Sequence, residues 1–163
     1  GAVNVIAFEN GQKVGYNTDA FGFAQSIKPF LTFEHERALI FGTGGASKAI
    51  AHVFKTLGVE VYFISRQPDH TKRIYSYSEI NVHMLNACKV LVNCTPIGNF
   101  PNIDASIELP FEFLTPAHLV IDLVYNPAET TLMKRAKTKG AAVMNGLSML
   151  QHQALLSYEI WSR

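Results

Sequence analysis

Charge of one sign is scarce in this chain. Fourteen basic against thirteen acidic residues leave a formal net charge of +1, and only 17% of the 163 residues are charged. Nucleic-acid binders carry a basic excess or a basic patch, and neither is visible, so no nucleic-acid partner is expected. Cysteine is rarer still. Cys88 and Cys94 have five residues between them and form no CxxC pair. That excludes a disulfide framework and denies a zinc site its usual spacing. The six histidines are scattered without ligand spacing, so no metal is expected. Buried free thiols suit a reducing compartment, and a cytoplasmic location is the expectation. No apolar run approaches the roughly 20 residues that span a bilayer, so no membrane partner is expected. The opening GAVNVIAFENG lacks the basic and apolar regions of a signal peptide. The first residue is glycine rather than methionine, which leads us to expect a processed chain or a part of a longer one. Eleven glycines and seven prolines are ordinary usage and exclude collagen-like and low-complexity classes.

What is present is apolar. Hydrophobic residues make up 48% of the chain, including 11 Phe and 6 Tyr. A chain of this size and composition builds one domain core with room for a small appendage. Val3 to Phe8 and Lys13 to Tyr16 read as strands, and Asn10-Gly11 between them signals a tight hairpin turn. Thr18 to Phe30 reads as a helix capped by Asn17 or Thr18 and stopped near Pro29. From Arg37 the pattern alternates. Ala38 to Phe41 is a fully apolar run that suits a parallel strand buried on both faces. Ser47 to Leu57 reads as a helix, Val59 to Ser65 as a strand, Ser78 to Cys88 as a short helix and Val90 to Asn93 as a strand. Leu119 to Val124 and Ala142 to Met144 read as strands, Thr131 to Lys139 as a helix, and Ser148 to Trp161 as an amphipathic terminal helix. Four prolines between Thr95 and His118 predict a loop there. The order predicts an α/β fold, a Rossmann-like doubly wound, mostly parallel sheet with helices on both faces.

The first strand-to-helix turn of that unit reads Gly42-Thr43-Gly44-Gly45-Ala46-Ser47. Gly42 permits the tight turn, Gly44 lets a pyrophosphate approach the backbone, and Ser47 is the small residue where helix packs on strand. The helix start then offers free N–H groups and a partial positive charge to phosphates. The same glycines also suit an ordinary turn; strand, loop, helix and next strand in sequence are what favour a dinucleotide. The next strand ends Ile64-Ser65-Arg66-Gln67, with Arg66 24 residues beyond Gly42 and no acid before Asp69. An acid near this point would hold a ribose 2′-hydroxyl, whereas a guanidinium pairs with a 2′-phosphate. NADP is therefore the expected cofactor, against the alternative of a solvated basic loop that includes Lys72 and Arg73.

Ahead of the Rossmann unit, Gly15-Tyr16-Asn17-Thr18-Asp19-Ala20-Phe21-Gly22-Phe23 is dense in special residues. An Asp in the first helical turn also has a plain structural use, since it complements the helix dipole. Taken together, six segments carry a resemblance: GAVN at Gly1 to Asn4, NTDAFGF at Asn17 to Phe23, GTGGAS at Gly42 to Ser47, NCTPIG at Asn93 to Gly98, DLVYNP from Asp122 with Thr130 or Thr131 and Leu132, and NGLSML from Asn145 with Gln153. In this order they resemble the shikimate dehydrogenase family across nearly the whole chain. The resemblance implies that Asp19 is the catalytic aspartate and that Asn4, Asp19, Tyr125 and Gln153 meet the substrate. It implies that Gly42, Thr43, Gly44, Gly45 and Ala46 hold the pyrophosphate, and Ser65 and Arg66 the adenosine phosphate. It implies too that Thr95, Leu123, Gly146 and Met149 line the ribose and nicotinamide. Met149 and Gln153 are one helical turn apart and share a face.

The implied activity is the NADPH-dependent, reversible reduction of 3-dehydroshikimate to shikimate. The alternatives are a quinate/shikimate enzyme of the same superfamily and a non-catalytic NADP-binding or regulatory module, since fold does not fix function. Two departures stand out. The family's catalytic lysine lies in a segment preceding GAVN, and no lysine here sits in a comparable motif; Ser65 stands where many members have Asn. The expectation is a division into residues 1–30, a remnant of the substrate domain with a connecting helix; 31–147, the NADP-binding unit; and 148–163, a helix returning to the substrate domain. The isolated chain is then expected to be inactive, and exposed N-terminal strands or the last helix are expected to self-associate.

Overall fold

A computed structural model describes residues 2–163; Gly1, the first residue of the GAVN segment, lies outside the described residues. The chain opens with a hairpin of β1 (Val5–Glu9) and β2 (Gln12–Tyr16). Its register pairs Glu9 with Gln12, and both turn residues, Asn10 and Gly11, have positive φ (51° and 78°). This is the conformation that Asn-Gly adopts most readily, and it matches the twist of the flanking strands. Helix α1 (Thr18–Ile27) follows, capped by the Asn17 side chain, which accepts from the Ala20 N–H at 2.9 Å. It ends two residues before Pro29, shorter than periodicity alone predicts.

A six-stranded sheet forms the body. Its strands are β3 (Arg37–Phe41), β4 (Glu60–Ile64), β5 (Ile74–Tyr75), β6 (Val90–Asn93), β7 (Leu119–Asp122) and β8 (Ala142–Asn145). The spatial order is β5-β4-β3-β6-β7-β8, and every pairing is parallel. This is the doubly wound Rossmann order, in which the chain reverses direction between β3 and β6 and ligands bind at the carboxyl ends of the strands there. Alternate side chains feed two cores. Ala38, Ile40, Val90 and Val92 face one layer with Phe23 and Ile27 of α1, Ile50 and Phe54 of α2 (Gly45–Thr56), and Met149 of α5 (Leu147–Trp161). Leu39, Phe41, Leu91 and Val120 face the other, with Leu85 of α3 (Val82–Ala87) and Leu132 and Ala136 of α4 (Thr131–Lys137).

Three local differences from the sequence reading have physical causes. The single helix expected over Ser78 to Cys88 is two pieces. A capping box between Ser76 and Glu79 closes a 3₁₀ turn at Tyr77–Glu79, and Asn81 then caps α3 separately. Strand β5 was not expected; two residues give no measurable alternation, and β4 supplies its pairing. The Thr95 to His118 loop carries buried Ile107, Leu109, Phe111 and Leu114, so it covers one core although it has little regular structure. Val5 and Ala7 of the hairpin pack on Ile160 of α5, while Ile6 and Phe8 on the opposite face are 57% and 75% exposed.

Candidate functional site

The carboxyl ends of four strands form one ledge. The ladder runs one bond past each strand: Cys94 N–H donates to the Phe41 carbonyl at 3.0 Å, Leu123 N–H to Asn93 at 3.0 Å, and Gly146 N–H to Val124 at 3.2 Å. Gly42 sits at this level with φ +102°, and a Cβ there would come within 3.3 Å of the Thr95 methyl carbon. Gly42 and Thr95 thus face each other at the point where the strand order reverses. Gly44 and Gly45 have open space where a side chain would stand, and no side chain caps α2 or places an acid in its first turn. Backbone N–H groups at a long helix start, with neither a cap nor an acid, form a cradle that suits a phosphate. Ser47 packs inward, donating to the Gly44 carbonyl at 3.0 Å.

A buried polar network fixes the loops behind the ledge. Asp122 is fully buried and accepts from Asn93 Nδ2 at 2.9 Å, from the Val124 N–H at 3.1 Å and from the Thr130 hydroxyl at 2.6 Å. Burial pushes its pKa up, and the three donors oppose that shift. Asn93 Oδ1 in turn accepts from the N–H and hydroxyl of Thr95, at 2.9 and 2.6 Å. The position of Thr95 is therefore set from beneath, through Asn93, by an aspartate at the end of the neighbouring strand β7.

At the α1 end a second network joins residues far apart in sequence. Asn4 Nδ2 donates to Asp19 Oδ1 at 2.9 Å and to the Thr18 hydroxyl at 3.0 Å, while its Oδ1 accepts from the Thr18 N–H at 2.8 Å. Thr18, fully buried, lies 3.2 Å from Gln153 Oε1 and 3.0 Å from the Ser157 hydroxyl. The Thr18 hydroxyl donates to Gln153 Oε1, and the Ser157 hydroxyl donates to the Gln153 carbonyl at 2.6 Å. Asp19 Oδ2 and Gln153 Nε2 have no partner among the described residues. Half-burial pushes the Asp19 carboxyl above its ordinary pKa, and the Asn4 hydrogen bond opposes the shift.

A cavity of about 230 Å³ connects the two regions. It is lined by Asp19, Ala46, Leu123, Tyr125, Gly146, Met149, Leu150 and Gln153. Seven of the residues singled out in the sequence line this one space. Asn4 stands behind Asp19, and Ser65 and Arg66 lie further along the ledge past β4. Arg66 is exposed, whereas Lys72 pairs with Asp69 at 2.8 Å and Arg73 pairs with Glu60, so neither belongs with Arg66 in a cationic group. A larger cavity of about 570 Å³ between α1 and α2, lined by Ala2, Asn17, Lys48 and His52 among others, contains none of the strand-end residues. Thr18 and Ser157 were missed by sequence reasoning. The available signal was their spacing, Thr18 beside Asp19 and Ser157 one turn beyond Gln153. Among the described residues no group of three or more His, Cys, Asp or Glu is placed to hold a metal, and no helix is long and apolar enough to cross a membrane.

Strand order, glycine turn and ledge define a doubly wound Rossmann-type unit with a polar cluster at its open end. No family model matches the chain. It is 34% identical to the shikimate dehydrogenase (NADP(+)) of Desulforamulus reducens over 99% of its own length and 62% of that protein. It is 32% identical to the shikimate 5-dehydrogenase of Thermus thermophilus, whose structure is in complex with NADP(H) and shikimate; the TM-score is 0.81, with 99% of this chain and 62% of that one covered. The quinate dehydrogenase of Corynebacterium glutamicum, in complex with NAD, is also similar, at 26% identity and TM-score 0.83 over 98% of this chain and 62% of that one. The chain is thus similar to shikimate dehydrogenases over nearly all of its own length and spans about three fifths of the length of the curated relatives it matches.

Proposed function

We propose that this chain is the cofactor-binding part of an NADP-dependent shikimate dehydrogenase that interconverts 3-dehydroshikimate and shikimate in the cytoplasm. The observation that carries the reading is the single cavity joining Asp19, Tyr125 and Gln153 to Leu123, Gly146 and Met149, next to the glycine cradle. Residues 31–147 form the cofactor unit, with residues 1–30 and 148–163 belonging to the substrate side. Gly42 to Ala46 hold the pyrophosphate through backbone N–H groups, and Ser65 and Arg66 the adenosine phosphate. Thr95, Leu123, Gly146 and Met149 line the ribose and nicotinamide.

NADP, when bound, supplies the hydride chemistry; the chain's own residues bind, orient and manage a proton. Asn4 fixes one oxygen of Asp19 and leaves the other free to hold or pass a proton at the reacting oxygen. The raised Asp19 pKa brings its titration nearer to working pH. Gln153 Nε2 and the Tyr125 hydroxyl are positioned to donate to substrate oxygens, and Asn4 Oδ1 keeps one lone pair for a substrate hydroxyl. Among the described residues no lysine pairs with Asp19, so the 163 residues alone bind cofactor and turn over slowly. Substrate range extends to quinate on the second reading, which the likeness to a quinate dehydrogenase supports.

The cofactor reading is tested directly. A charge-assisted phosphate contact contributes about 1.5–3 kcal/mol, so NADPH is expected to bind roughly ten- to a hundredfold more tightly than NADH. Titration followed by nicotinamide fluorescence measures this. Equal affinities, or an Arg66→Ala variant that keeps the preference, refute the assignment.

A further inference from the structure

Arg66 has a neighbour whose chemistry is unused. Strands β4 and β5 run parallel with Ile64 beside Tyr75, and the Ser65 N–H donates to the Tyr75 carbonyl at 2.8 Å. Arg66 follows β4 by two residues, and Tyr77, which opens the 3₁₀ turn Tyr77–Glu79, follows β5 by two. The Tyr77 ring rests near Phe41, the residue before Gly42, with centroids 6.2 Å apart. The capping box holds the turn that carries it: the Ser76 N–H donates to Glu79 Oε2 at 2.7 Å and the Ser76 hydroxyl to the same oxygen at 2.9 Å. Tyr77 is thus held close to the root of the glycine loop. Burial of the ring raises its pKa and the Arg66 charge opposes the shift, so the phenol and the guanidinium lie within electrostatic reach of each other.

Among the described residues neither group has a hydrogen-bond partner, and no buried side-chain polar atom is left unpaired. The Tyr77 hydroxyl therefore opens to solvent. The other two cations of this edge are taken, Lys72 by Asp69 and Arg73 by Glu60.

We propose that the Tyr77 hydroxyl is a second donor, beside the Arg66 guanidinium, to the 2′-phosphate of the bound dinucleotide, and so a residue that determines preference for NADPH over NADH. The proposal rests on the cofactor reading above and adds a residue to it. Arg66 supplies charge, and the hydroxyl supplies a directional donor on a rigid mount. A hydrogen bond to a doubly charged phosphate is roughly twice as strong as one to a neutral ribose hydroxyl, which is why this donor discriminates.

Tyr77→Phe removes the hydroxyl and keeps the ring near Phe41. Dissociation constants for NADPH and NADH are measured on the wild-type chain, Tyr77→Phe and Arg66→Ala, with a thermal melt of each. Tyr77→Phe is expected to weaken NADPH roughly tenfold while NADH changes by less than about twofold. Adenosine 2′-phosphate, used as a competitor, should lose affinity in the same proportion, and adenosine 5′-phosphate should not. If the wild type shows no preference, the cofactor reading itself fails. If the wild type prefers NADPH and Tyr77→Phe keeps the full preference, the role of Tyr77 is overturned and that of Arg66 stands. Equal weakening of both cofactors also overturns it, because it assigns Tyr77 to structure alone.

Discussion

One oxygen of Asp19 is committed to Asn4, and the residue lines the cavity. The carboxyl titrates above its ordinary value because burial outweighs the hydrogen bond. A raised carboxyl favours the folded state while it is protonated. Its contribution is full below the ordinary pKa of about 3.9 and is lost as pH rises through the raised value. Carbon-detected NMR titration of Asp19 should therefore give a midpoint above the usual aspartate range, and Asn4→Ala should move it higher still, since that variant removes the opposing hydrogen bond. A midpoint at or below the ordinary value would contradict the geometry. Asp19, Tyr125 and Gln153 were legible in the sequence because each lies in a recognisable segment. Thr18 and Ser157 were not, because what matters is their burial between two elements, and a hydroxyl on a helix has no signature of its own. The Asp122 network was hidden for a similar reason: its strength lies in three donors converging on one buried carboxylate, and only folding brings them together.

Between elements, a close approach lies where β8 turns into α5. A Cβ on Gly146 would sit 2.0 Å from the Leu123 carbonyl oxygen, inside backbone that carries part of the ledge. Gly146→Ala must push β7 and α5 apart, and overpacking of this kind costs about 1–3 kcal/mol. Chemical denaturation should show a loss in that range, together with weakened cofactor binding. Gly44→Ala is the contrast. Its φ is −78° and nothing stands within 4 Å of the added atom, so stability should change by less than about 1 kcal/mol while the phosphate cradle narrows. A Gly146→Ala protein as stable as wild type would contradict the packing. The sheet was legible because Ala38 to Phe41, Val90 to Asn93 and Leu119 to Ile121 are unbroken apolar runs. β5 was not, since its strand character comes wholly from its neighbour.

At the scale of the whole molecule, the two faces of the hairpin differ. Val5 and Ala7 are buried on Ile160. Ile6, Phe8, Leu155, Tyr158 and Trp161 are mostly exposed, and the Trp161 indole donates to the Ile6 carbonyl at 3.1 Å. Apolar surface of this kind, beside unpaired strand edges, drives association. Sedimentation of the 163-residue chain over a range of concentrations should reveal self-association. A strictly monomeric species with hairpin and last helix fully protected from hydrogen exchange would count against it. The polar cluster also has a place in time. Thr18 meets Ser157 across 139 residues and Gln153 across 135, so the sheet and glycine turn lie between the two halves of the site. During synthesis the nascent chain can complete every parallel strand before it has the residues that close around Asp19. The glycine turn is the earlier achievement, and the polar cluster around Asp19 waits for the last helix to leave the ribosome.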